Sequence, residues 1–184
     1  MELTGPYLAA CVLLVIAGAA KAARPGDTAR AVAVTMKLRP TLVRPVVRSG
    51  AAVEVLIGLA GMARPSPLTA GLIAGSYLGF AVFVGVTLAR DGPLASCGCF
   101  GTPDTPATRT HVIVDLVLAA SALTVALKVP AEWLPRLLAG QTWSGVPLVV
   151  LSLLCAVLAI LTMTRLSQLG AARRSLGITR GEPA

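Results

Sequence analysis

The sequence predicts an all-α integral membrane protein of five transmembrane helices, and three observations carry that prediction. Apolar residues make up 55% of the 184-residue chain and charged residues only 13%, with a mean hydropathy of +0.81; an ordinary soluble domain carries about 25% charge. Apolar runs near the roughly 20 residues that cross a bilayer recur along the chain, joined by short polar connections. Lys and Arg gather between these runs, as they do in the cytoplasmic loops of membrane proteins. The net charge of +8 therefore points to topology rather than to nucleic acid. The length leaves no room for a large soluble domain.

The first span is expected over 7–23. A signal peptide would want positive charge ahead of its apolar core, whereas Glu2 is acidic and no Lys or Arg precedes the run, so a retained span is expected. Lys21 closes it, on a stem long enough to snorkel to the interface. Residues 24–48 form a basic connection carrying Arg24, Arg30, Lys37, Arg39, Arg44 and Arg48. It reads chiefly as a charged loop broken by Pro40 and Pro45, with a short surface helix over 29–38 as the alternative.

The second span, 46–63, holds Glu54 near its centre. A carboxylate at that depth costs roughly 2.5 kcal/mol or more unless paired, neutral or facing a cavity. Nothing within the span offsets it, so a partner must come from another helix, and Lys21 and Arg48 are nearest in depth. Arg48 lies six residues earlier, about 9 Å along the axis, which disfavours a pair within one helix. The turn Arg64-Pro65-Ser66-Pro67 leads into the third span, 68–89, where Gly71, Gly75 and Gly79 repeat every four residues and Gly85 follows. That pattern predicts close approach of another helix.

The connection 90–110 is punctuated by Asp91-Gly92-Pro93, Gly101, Pro103, Asp104 and Pro106, which mark a shaped loop. The fourth span, 110–127, opens with His111 and Asp115, four apart and so on one face. Trp133 and Trp143 read as interfacial anchors before a fifth span over 146–164 and a basic tail. The chain thus divides into a core, residues 1–128, and residues 129–184 with a connecting loop, the fifth helix and the tail. Lys21, Arg24, Arg30, Lys37, Arg39, Arg44, Arg48, Arg90, Arg109 and the arginines of the tail fall on one face. Only Arg64, Lys128 and Arg136 fall on the other, so the loop before the fourth span is expected in the cytoplasm.

Two of the four cysteines, Cys97 and Cys99, stand one residue apart in that loop. Cys11 and Cys155 lie inside apolar spans, where Cys behaves as a small hydrophobe. A Cys-Gly-Cys pair can close a small ring that departs from preferred disulfide geometry and is easily reduced, which suits electron transfer better than stabilisation. Exchange needs a thiolate, favoured by Arg90, Arg109 and protonated His111 and opposed by Asp91 and Asp104. Metal binding by both thiolates with His111 and Asp115 is the weaker alternative, because zinc sites space their cysteines more widely and use more ligands. Two structural cysteines in a turn are the other.

Cys97-Gly98-Cys99-Phe100-Gly101, Lys21 at the end of the first span, and Glu54 followed by Gly58 in the second together resemble the MauE/DoxX group of redox-associated membrane proteins, specifically the MauE type of methylamine utilisation. The resemblance covers roughly residues 7–128. It implies a four-helix bundle of DsbB and vitamin K epoxide reductase architecture, a thioredoxin-like or other redox partner, and disulfide formation or maturation in partner proteins. Cys97 and Cys99 would then be the catalytic pair of a thiol-disulfide oxidoreductase, with Lys21, Glu54, Arg90, Arg109, His111 and Asp115 supporting, and a membrane quinone the class of acceptor implied. Val114-Asp115 stands where the resemblance leads one to expect Arg-Asn, and one loop cysteine pair stands where the DsbB type has two. Exported partners would require an extracytoplasmic loop, the face opposite to that expected from the charge distribution. The competing class is a non-enzymatic scaffold subunit. A solute transporter would draw only on Glu54 and Lys21.

Overall fold

The computed structural model describes residues 4–89 and 109–128, together with Leu154, Cys155, Val157, Leu158 and Leu161. Its helices are α1 (Thr4–Ala23), α2 (Pro25–Met36), α3 (Pro40–Ala63), α4 (Pro67–Ala89) and α5 (Arg109–Leu127). Among the described residues there is no strand, and α1, α3, α4 and α5 are each long and apolar enough to cross a membrane. The chain is a multi-pass membrane protein. Leu154, Cys155, Val157, Leu158 and Leu161 are helical and exposed; the remainder of the expected fifth span lies outside the described residues.

Each of the four spans ends where the apolar run ends, at Ala23, Ala63, Ala89 and Leu127. The start of α4 is set by capping chemistry. Ser66 caps α4 reciprocally: its Oγ accepts from the Thr69 N–H at 3.1 Å and Thr69 Oγ1 accepts from the Ser66 N–H at 2.9 Å. This is a capping box with Thr in the place of Glu, and Pro67 takes the first helical position, where a missing N–H leaves nothing unsatisfied.

The connection between the first two spans is folded rather than looped, which corrects the expectation for residues 24–48. Pro25 opens α2 with Asp27 in its first turn, where a carboxylate is favoured by the helix dipole. Ala29 and Ala33 then pack against Val43 of α3, with Val32 and Val47 around them. Pro40 starts α3 instead of breaking the chain, and Pro45 lies inside that helix. So near the start, Pro45 removes only the bond to the Thr41 carbonyl, and contact with α2 offsets the loss.

α1 is the central helix. In its membrane-length window 61% of residues are buried, against 17% in α3. Tyr7, Ala10, Cys11, Leu13 and Leu14 meet Ala70, Ile73, Ala74 and Tyr77 of α4 and Leu118, Ala119, Ala122 and Val125 of α5. α3 lies alongside α1, antiparallel to it, with Gly18 against Ala51 and Gly58 against Val15, and its Gly61 also reaches Ile73 of α4. The close approach expected at Gly71, Gly75 and Gly79 does not occur among the described residues: a Cβ built at any of them meets nothing within 4 Å. The glycines that admit a neighbouring helix are Gly18, Gly58 and Gly61.

Candidate functional site

Lys21 is the residue around which the site assembles. It occupies the last turn of α1 and is 5% exposed, so its stem does not snorkel to the interface. The ammonium forms an ion pair with Glu54 of α3 and stands 4.1 Å from the centroid of the Phe80 ring on α4. The small side of α1 allows this: Gly18 lets the Ala51–Val55 stretch of α3 come so near that a Cβ there would meet the Ala51 carbonyl oxygen at 2.9 Å and Glu54 Cβ at 3.2 Å. The pair is satisfied between helices, as an intramembrane carboxylate must be. Arg48 is exposed and takes no part in it.

From the other side, α5 brings two further groups. His111 and Asp115 are 2% and 8% exposed and share the buried face with Leu118, Ala119 and Ala122. The Asp115 carboxyl lies in the field of the Lys21 ammonium. Tyr77 of α4 stands among Asp115, Glu54 and Cys11, and its hydroxyl donates to the Ala10 carbonyl at 2.7 Å. That bond ties α4 to the centre of α1. Its ring meets Phe80 edge to face, with centroids 5.9 Å apart.

Beside the ion pair is a pocket of about 180 Å³, walled by Thr28 and Val32 of α2, Val47 and Ala51 of α3, and Phe80 and Phe83 of α4. The pocket is mostly apolar, with one cation and one carboxylate exposed to it. Among the described residues no group of three or more His, Cys, Asp and Glu side chains converges as a metal site.

Of the residues singled out from the sequence, Lys21, Glu54, His111 and Asp115 are brought into one half of the bundle. Arg109 is exposed in the first turn of α5. Cys97, Cys99 and Arg90 lie outside the described residues. Cys11 is fully buried in the core, while Cys155 is exposed. Tyr77, Phe80 and Phe83 were not anticipated. Two of the three phenylalanines in the chain stand one helical turn apart on α4, and that was the only sign available.

A family model described as Methylamine utilisation protein MauE matches residues 3–128. No curated protein and no solved structure matches the chain.

Proposed function

The chain belongs to the family of the methylamine utilisation protein MauE, and from that premise we propose that it is a thiol-disulfide redox protein of the plasma membrane. It exchanges electrons with a thioredoxin-like partner through Cys97 and Cys99 and so serves disulfide formation or maturation in partner proteins. The architecture proposed is that of the DsbB and vitamin K epoxide reductase type. Residues 1–128 carry the exchange, and residues 129–184 add the fifth helix and the basic tail.

One observation supports the reading above the others. Segment 90–108 joins the end of α4 to the start of α5, and Lys21, Glu54, His111 and Asp115 gather in that same half of the bundle. A membrane protein retains buried charge where it has work for it. The connection that bears the two thiols leaves the bundle from that end of α4 and returns at that end of α5.

In the exchange, one cysteine thiolate attacks a sulfur of the partner's disulfide. A mixed disulfide forms, and the partner's leaving thiolate takes up a proton. The second cysteine, deprotonated, then attacks its neighbour's sulfur, closing the Cys97–Cys99 bond and releasing the partner as a dithiol. Two electrons pass from this chain to the partner; in the reverse direction, the one that forms disulfides, the Cys97–Cys99 disulfide accepts two electrons from the partner's dithiol by the same steps. Arg90 and Arg109 favour the thiolate by their charge. Lys21 and Glu54 hold α1 to α3.

Cells carrying Cys97→Ser with Cys99→Ser test this. The partner's ratio of dithiol to disulfide is expected to shift, by acid-trapped alkylation, when both cysteines are gone. An unchanged ratio, with the partner still bound, would replace exchange by a scaffold role. A membrane-impermeant maleimide, applied to intact cells before and after reduction, assigns the face on which the loop stands.

A further inference from the structure

We infer that the corner between α2 and α3, with the groove beneath it, binds an anionic phospholipid, its phosphate at Lys37 and an acyl chain along α4. The groove holds about 750 Å³, within the range of pockets that enclose small ligands. Thr35, Met36 and Lys37 form its rim at the end of α2, and Gly79, Val82 and Val86 form its wall on the outer side of α4. The wall is apolar and open: Val82 is 64% exposed and a Cβ at Gly79 would meet no atom within 4 Å. The rim carries a cation and no carboxylate.

Charge selects the occupant. Lys37 and Arg39 are exposed at this corner, and Arg44 and Arg48 are exposed in the first half of α3. The two described carboxylates of α2 and α3 are already engaged, Asp27 with Arg30 at 3.9 Å and Glu54 with Lys21. Among the described residues the corner therefore presents basic groups with no acidic neighbour. Such clusters at a membrane surface attract anionic lipid, at about 1 kcal/mol per residue. The acyl chain supplies the apolar partner that Val82 and Val86 lack.

Lys37 is also the one non-glycine residue with positive φ among those described, at 55°. It ends α2 in the left-handed conformation: the Lys37 N–H donates to the Val34 carbonyl at 3.4 Å and the Leu38 N–H to the Ala33 carbonyl at 2.9 Å. Gly or Asn is the residue that helix ends of this geometry ordinarily use. A lysine held there sacrifices backbone ease and places an ammonium at the mouth of the groove, and a residue kept in a disfavoured conformation is a pointer to function.

The test is native mass spectrometry of the full chain in detergent, titrated with palmitoyl-oleoyl phosphatidylglycerol and with the phosphatidylcholine of the same chains. Phosphatidylglycerol is expected to bind at least about tenfold more tightly. Lys37→Asn keeps a residue suited to the left-handed cap and removes the charge; circular dichroism should be unchanged and the preference should fall about fivefold, the order expected for one basic group near a surface. Gly79→Leu, which projects into the groove from a position with room for its Cβ, should weaken both lipids. Glycerol phosphate, a head group with no chain, should compete at least about tenfold less well than the lipid. Equal binding of the two lipids, an undiminished preference in Lys37→Asn, or equal competition by glycerol phosphate overturns the site. So does failure of both lipids to bind, the result expected if residues 146–164 or a second copy of the chain covers the groove.

Discussion

Glycine occupies two contrasting settings in this bundle. Between α1 and α3, a Cβ at Gly58 would stand 2.7 Å from Val15 Cγ2 and 3.0 Å from the Cys11 carbonyl oxygen, and one at Gly61 would stand 2.9 Å from the Tyr7 hydroxyl. On the outer side of α4, Gly71, Gly75 and Gly79 keep the regular four-residue spacing associated with helix pairing, yet each faces open space. Spacing alone permits an approach; it does not supply the neighbour. Lipid tails are as apolar as side chains, so helices in a membrane associate through close packing and polar contacts. The α1–α3 seam has both, because the Lys21–Glu54 pair closes it. The α4 stripe has neither.

The comparison is tested most severely at the ion pair. Glu54→Ala leaves the buried Lys21 ammonium without its partner and is expected to destabilise the protein by about 3–5 kcal/mol, measured by unfolding in detergent. Lys21→Met combined with Glu54→Leu should recover most of that loss, because no charge is then stranded. A single variant as stable as the native chain would break the claim that polar contact holds the seam.

Gly58→Leu comes next, with an expected loss of about 1–3 kcal/mol from overpacking. The Cys11 carbonyl belongs to the backbone and cannot rotate away from the new side chain. Tyr77→Phe should cost about 1 kcal/mol, the net worth of a typical hydrogen bond, here the one to Ala10. The smallest effect sharpens the contrast. Gly75→Ala, at an exposed helix position with room for a methyl group, should cost nothing and add up to about 1 kcal/mol from helix propensity. A loss there comparable to that at Gly58 would show that α4 has a partner helix on its outer face.

Much of the fold was legible because the information is local. A run of apolar residues ends at the first charge or turn former, and the ends at Ala63 before Arg64-Pro65 and at Leu127 before Lys128 follow from that. Helix starts were less legible. α3 extends back to Pro40, through Pro45 and Arg44, because contact with α2 compensates for polar residues that a hydropathy reading excludes. From the sequence, α2 reads chiefly as a charged loop. Its buried face consists of Pro25 and alanines, too small and too weakly apolar to stand out beside the arginines around them.

Of the candidate site, the sequence by itself determined that Glu54 could not remain alone in its span, because an unpaired charge at that depth is costly whatever the fold. It also determined that His111 and Asp115 share a face, since helical periodicity fixes that. Only the tertiary structure decided that Lys21 turns inward to Glu54 while Arg48 faces out, that Phe80 lies against the ammonium, and that Gly18 rather than Gly75 admits a neighbour. Burial cost is a property of one residue and its helix and can be read along the chain. The choice of partner depends on the separation and rotation of two helices, which no single segment encodes.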